Sequence, residues 1–185
     1  MQELSLNILD IAQNSVKAGA AEIAITVCES TAADTLIITI VDNGCGMTDE
    51  VVARVIDPFY TTRTTRRVGL GIPFFKMAAE MTGGGFDISS KVGEGTTIKA
   101  VFGRSHIDRM PLGDMGETLC CLISCNPDIN FIYTREVDGA SFTTSTNEFK
   151  EVLGDVPLNI PQVMEFIKAY IKENTENLDG GIKTI

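Results

Sequence analysis

Asp42-Asn43-Gly44-Cys45-Gly46-Met47 follows directly on Leu36-Ile37-Ile38-Thr39-Ile40-Val41, the strongest strand signal in the chain, and its reading decides the rest. A carboxylate at the end of such a strand is expected to be buried. An ionised Asp accepts hydrogen bonds only, so an exocyclic amine, such as the one on adenine, would satisfy it and be selected by it. Gly44 and Gly46 clear side chains from its surroundings, which suits a flat group lying against the loop. The competing reading is a plain hairpin, because Asn-Gly is a strong turn signal. The stretch alone leaves the two even.

Upstream, Leu4, Leu6, Ile8, Leu9, Ile11, Ala12 and Val16 recur at roughly helical spacing and Gly19 supplies a stop, which predicts a helix over residues 3–18. Asp10 and Asn14 stand four apart on it and Lys17 three further along, so carboxylate, amide and ammonium line one stripe. Such a stripe suits Mg-phosphate chemistry: an amide oxygen for Mg²⁺, an ammonium for phosphate, and a carboxylate as base. It equally suits a solvated polar face.

Downstream, Ile23–Val27 pairs naturally with Leu36–Val41, and Asp49–Val55 suits a short helix ended by Pro58. Arg63, Arg66 and Arg67 then cluster in a chain that is otherwise acidic, a pattern shared by anion-binding segments and ordinary surface loops. Gly69-Leu70-Gly71 opens a predicted helix over residues 72–81, and glycines at a helix start leave backbone N–H groups free for an anion. Phe86–Ser90 and Thr96–Phe102 read as a hairpin through Val92-Gly93-Glu94-Gly95.

Beyond Ser105 the pattern changes. A helix is expected over residues 115–124 with Asp114 as N-cap, and a hairpin over 130–136 and 140–145 around Asp138-Gly139. A short helix capped by Thr146 or Asn147 and a last helix over 162–174 opened by Pro161 follow, with a frayed tail after Asn177. We therefore divide the chain into residues 1–104 and a small α+β module, 105–185, that reads as a docking or dimerisation unit.

The whole-chain properties narrow the classes. The 185 residues are 44% hydrophobic, enough for a core, and carry a net charge of −10. That charge argues against a nucleic-acid or anionic-membrane surface. The N-terminus lacks the regions of a signal peptide and no apolar run reaches the ~20 residues of a membrane span, so the expected location is cytoplasmic. The five cysteines, at 28, 45, 120, 121 and 125, form no paired spacing and are read as reduced thiols, with the group at 120–125 buried in its helix.

In order, Asp10 and Asn14 on a first helix, Asp42-x-Gly44-x-Gly46, Asp57-Pro58-Phe59, Gly69-x-Gly71 before a helix, and Gly93-x-Gly95-Thr96 resemble the GHKL superfamily. That superfamily holds type II topoisomerase ATPase subunits, large heat-shock chaperones, mismatch-repair ATPases and sensor histidine kinases. The resemblance covers residues 3 to about 103 and implies a two-layer α/β (α+β) sandwich, a mixed sheet with helices on one face. It implies that Asp42 binds the adenine amine of ATP assisted by Thr96, that Gly44 and Gly46 make room for the base beside Met47, and that Asn14 holds Mg²⁺. Lys17, Gly69, Leu70 and Gly71 would meet the phosphates, and Thr61 to Val68, including Thr62 and Arg63, would form a short lid.

Asp10 stands where hydrolysing members commonly carry a Glu as general base, one methylene longer. Lys17 looks like the sensor-kinase pattern, whereas Asn14-Ser15 with Ala18-Gly19-Ala20 looks like mismatch-repair ATPases. No phospho-accepting histidine is expected before the first helix, and His106 reads as a linker residue. The expected activity is that of a Mg-ATP-binding protein acting as a weak ATPase or as a kinase on a separate protein. The alternative is a non-enzymatic, nucleotide-gated binding module. A protein partner or phospho-acceptor is expected, and a homodimer is compatible with the C-terminal module.

Overall fold

The computed structural model describes residues 3–57 and 70–178. Its elements run α1 (Leu4–Lys17), β1 (Glu22–Ser30), β2 (Thr35–Asp42), α2 (Asp49–Val55), α3 (Gly71–Met81), β3 (Gly85–Lys91), β4 (Gly95–Gly103), α4 (Met115–Cys125), β5 (Asn130–Val137), β6 (Ala140–Ser145), α5 (Thr146–Leu153) and α6 (Pro161–Leu178). The six strands form one mixed sheet in the order β3-β4-β2-β1-β5-β6. Every pair is antiparallel except β1 with β5, which run parallel.

Strand alternation builds the core. Ile23, Ile25 and Val27 of β1, Leu36, Ile38 and Ile40 of β2, Ile98, Ala100 and Phe102 of β4, and Phe131 and Tyr133 of β5 are buried on one face. Residues between them are less buried, as period-two geometry requires of a sheet covered on one side. The helices form that cover: α1 packs on α3 and α4, α4 on α6, and α3 on β4. Phe75 of α3 meets Phe102 of β4 with ring centroids 5.4 Å apart. Each such fully buried side chain contributes about 1.5–3 kcal/mol.

On α1 the same burial sorts the functional residues. Leu4, Ile8, Ile11, Ala12 and Ser15 face the core, which leaves Asp10 and Lys17 exposed and Asn14 half-buried on the other side. The stripe seen in the sequence is therefore the outward face of a helix pinned by its opposite face.

The C-terminal hairpin continues the sheet. β5 lies beside β1 in the register Ile23↔Phe131 to Val27↔Arg135, so the sheet runs across residue 104 without a break. A parallel neighbour needs a crossover, and α4 supplies it. At the far end of that pair Glu29 accepts from Arg104 Nε at 2.6 Å and from Arg135 Nη2 at 2.5 Å. Glu29 and Arg135 are both buried, and the ion pair ties β1, β4's exit and β5 together.

Three local expectations are corrected. The N-cap of α5 is Ser145, which makes a reciprocal capping box with Glu148; Thr146 is instead buried and its hydroxyl accepts from the Phe131 N–H at 3.0 Å. Cys120 is buried on α4 but Cys121 and Cys125 are exposed, because successive helical positions point to different faces. Helix α6 runs to Leu178, past the expected end at 174; residues 179–185 lie outside the described part.

Candidate functional site

The last residue of β2, Asp42, is 8% exposed, and both its carboxylate oxygens are engaged. Ser15 Oγ donates to Oδ2 at 2.6 Å and the Gly44 N–H donates to Oδ1 at 2.9 Å. The loop that follows is clamped on two sides. Asn43 Oδ1 accepts from the N–H groups of Ala21 and Glu22, each at 2.9 Å, and the Cys45 N–H donates to the Ala18 carbonyl at 2.9 Å. On the other side Cys45 accepts from Gly93 N–H at 2.8 Å, and the Met47 N–H donates to Ser90 Oγ at 2.8 Å.

The glycines serve this clamp. Gly46 has φ +66°, and a Cβ on it would stand 2.0 Å from the Lys91 carbonyl oxygen; one on Gly44 would stand 2.9 Å from the Ala18 Cβ. Close approach of backbone to backbone thus demands glycine here before any ligand is considered.

A cavity of about 310 Å³ opens between α1, the loop and α3. Its apolar walls come from Ile11, Met47, Val55, Ile72 and Ile98, and its polar groups from Asn14, Ser15, Lys17, Asp42 and Thr96. Mostly apolar walls with a few convergent polar groups are the usual form of a small-molecule pocket. A planar, partly polar ring fits such a lining, and the one buried carboxylate would select an amine on its edge.

The α3 N-terminus lies next to it. Among the described residues Leu70 gives that helix no side-chain cap and its first turn holds no acidic residue, so its own sequence leaves the positive end uncapped. Gly71 packs against Asp10: a Cβ there would be 3.1 Å from the Asp10 Cβ and 3.8 Å from Oδ2. Asp10 itself lines a neighbouring groove between α1 and α3 and not the cavity.

The structure therefore gathers Asn14, Lys17, Asp42, Gly46, Met47 and Thr96 around one cavity, with Gly44 behind Asp42 and with Asp10, Leu70 and Gly71 at the adjoining helix start. Thr61, Thr62, Arg63 and Gly69 lie outside the described residues, as do Arg66 and Arg67. Thr96 is the cross-strand neighbour of Asp42, yet its hydroxyl is 2.8 Å from Ser90 Oγ, and the hydroxyl that holds Asp42 belongs to Ser15. Sequence reasoning missed Ser15, and Ile11, Val55, Ile72 and Ile98 as walls. Ser15 had a signal: a polar side chain on the apolar stripe of α1 requires a buried partner. Among the described residues no cluster of three or more His, Cys, Asp or Glu could hold a metal. Asn14 would offer a hard cation a single protein oxygen, a donor set that suits Mg²⁺ completed by phosphate and water.

Residues 1–105 match the family model described as "Histidine kinase-, DNA gyrase B-, and HSP90-like ATPase". The chain is 38% identical over 103 residues to the sensor protein SrrB of Staphylococcus aureus (strain NCTC 8325 / PS 47), covering 53% of this chain and 17% of SrrB. A protein of Shewanella frigidimarina (strain NCIMB 400) is 31% identical over 109 residues, 58% of this chain and 17% of its own length. The chain thus spans 17% of the length of these curated relatives. With more than half of its residues matched, the chain belongs to the histidine kinase-, DNA gyrase B- and HSP90-like ATPase family and carries an ATP-binding domain of that kind.

Proposed function

We propose that the protein binds Mg-ATP in the cavity beside Asp42 and transfers the γ-phosphoryl group to a hydroxyl of a separate protein, with slow hydrolysis when no acceptor is present. The observation that carries this reading is the placement of Asp10: it packs against the start of α3 and lines the groove beside the cavity, not the cavity itself. A base at that spot can meet an incoming side chain as readily as water.

Asp42 orients the base through its engaged carboxylate, leaving lone pairs for an amine. Lys17 and the uncapped start of α3 attract phosphate charge. Asn14 offers its oxygen to Mg²⁺, whose chemistry when bound is to neutralise charge on the phosphate oxygens. Asp10 accepts the proton of the attacking hydroxyl as its oxygen bonds to the γ-phosphorus and the bond to the β–γ bridging oxygen breaks, releasing ADP. The SrrB relatives are named sensor proteins, which agrees with a role in signalling. No helix among the described residues is long and apolar enough to cross a membrane. The protein's need for ATP is what leads us to propose a cytoplasmic location.

The test is phosphate release from Mg-ATP by wild type and by Asp10→Asn, with nucleotide binding titrated for both. Slow release that falls at least about 100-fold in the variant, with binding intact, supports Asp10 as base. Equal release by both proteins removes Asp10 from the chemistry, and loss of ATP binding by wild type overturns the nucleotide reading itself.

A further inference from the structure

The two edges of the sheet are built differently. At one, β3 carries Asp87 and Lys91, exposed charges of the kind that discourage a further strand. At the other, β6 reads Ala140-Ser141-Phe142-Thr143-Thr144-Ser145, with no proline, and it is the only element among those described that has no charged residue. Its register with β5 runs unbroken from Val137↔Ala140 to Ile132↔Ser145, so no bulge turns it aside. This edge lies outside residues 1–105, the part that the family model matches.

The ladder decides which groups of β6 are spent. Val137 and Ala140 flank the two-residue turn Asp138-Gly139 and are therefore a hydrogen-bonded pair. Alternation along an antiparallel ladder then commits the backbone groups of Ala140, Phe142 and Thr144 to β5. Those of Ser141 and Thr143 point away from the sheet, both residues are exposed, and no other strand pairs with β6 among the described residues. Ser145, next in that series, has its N–H taken by Glu148 Oε2 at 3.0 Å.

On the helix-covered side the same edge is aromatic. Phe142 meets Tyr170 of α6 with ring centroids 5.6 Å apart, and Phe166 stacks on Tyr170 at 6.1 Å. Helix α6 buries Val163, Ile167 and Ile171 and packs on α4, β5 and β6. Phe166 and Tyr170 are left 50% and 38% exposed.

We propose that β6 pairs antiparallel with β6 of a second copy of the chain, joining the two sheets edge to edge about a twofold axis. Ser141 of each copy then lies opposite Thr143 of the other, and each pair exchanges two main-chain hydrogen bonds, which uses all the outward groups of both residues. In that register Phe142 falls opposite Phe142 of the second copy at the closer, non-hydrogen-bonded spacing, and Phe166 and Tyr170 of both copies close over it. The same fit chooses the occupant. In a chain of net charge −10, the uncharged strand is the element that its own copy meets without like charges, and a twofold contact is the commonest use of such self-complementarity. The nucleotide cavity stands three strands away beside β2, so the association does not rest on the nucleotide reading.

The test is sedimentation equilibrium of the full chain, without nucleotide and under reducing conditions, at about 1 to 100 μM. A monomer–dimer equilibrium is expected. Thr143→Pro removes an outward N–H that β5 does not use, and Phe166→Glu places a charge in the aromatic contact from an exposed position. Each is expected to weaken the dimer at least about tenfold with the circular dichroism spectrum unchanged. Should Thr143→Pro fail to fold, Phe166→Glu decides alone. The register is read by mixing chains that carry Ser141→Cys with chains that carry Thr143→Cys and oxidising them: Cα atoms about 5.5 Å apart suit a disulfide, and peptide mass spectrometry is expected to find position 141 joined to 143. A wild type that stays monomeric overturns the proposal and leaves the edge to a strand of another protein. A dimer that survives Phe166→Glu, or one that forms no 141–143 disulfide, overturns it as well.

Discussion

Ser15 Oγ lies 2.6 Å from Asp42 Oδ2, joining the buried face of α1 to the end of β2 across 27 residues of sequence. Asp42 is thereby held in one rotamer with its remaining lone pairs turned to the cavity. Ser15→Ala removes that donor and frees the carboxylate to rotate. The expected result is about tenfold weaker ATP binding, equivalent to ~1.4 kcal/mol, with a reduced preference for ATP over GTP in calorimetric titration. Unchanged affinity and unchanged preference would show that Ser15 serves only the fold.

Glu29 answers to acid. Burial pushes its carboxyl up, but hydrogen bonds from Arg135 and Arg104 and the charges of both outweigh that and leave it below the ordinary value of 4.5. A carboxyl with a lowered folded pKa stabilises the fold fully above the unfolded value and loses that contribution as pH falls from about 4.5 through the folded value. Urea midpoints should therefore drop as pH is lowered through that window. Glu29→Gln should destabilise by about 3 kcal/mol at pH 7, because Arg135 stays buried without its carboxylate, and should flatten the acid dependence.

Gly46 and Gly93 separate two costs of a side chain. Both have positive φ, +66° and +81°, but only at Gly46 would a Cβ strike backbone, the Lys91 carbonyl at 2.0 Å; at Gly93 nothing lies within 4 Å. Gly93→Ala is expected to cost about 1 kcal/mol of conformational strain, and Gly46→Ala at least twice that together with loss of ATP binding as the loop shifts. Equal unfolding free energies for the two variants would contradict the clamp.

Cysteine reactivity reports on the cavity. Cys45 is exposed and lines it, whereas Cys120 is buried and its thiol is pushed up to about 11 by burial and then by Glu117. Maleimide labelling read by peptide mass spectrometry should modify Cys45 in the free protein, be slowed there several-fold by Mg-ATP, and spare Cys120 in both states. Labelling of Cys45 that ATP does not slow would place the nucleotide elsewhere.

How much of this was legible beforehand follows the range of each interaction. Helix α1, the strands 36–41 and 96–102, and the glycine-opened α3 are written in local period and turn chemistry, and they lie within a residue or two of where those patterns put them. Asp42, Asn14 and Lys17 could be singled out because each residue type states what it can bond, and the order of the motifs pointed to the family that residues 1–105 match. The pairing of β5 with β1 was not legible, since hairpin signals in residues 130–145 say which strands are neighbours in sequence and nothing about a parallel partner a hundred residues away.

The sequence by itself determined the elements, the acidic balance and the order of ligand-binding residue types, all of which depend on neighbours within a turn or a pleat. Only the tertiary structure decided that the Ser15 hydroxyl bonds Asp42 directly, that Asp10 lines a groove apart from the cavity, and that Glu29 is matched by two arginines. Those facts depend on which faces meet when α1, the sheet and α3 pack, and packing is set by shape and burial summed over the whole chain.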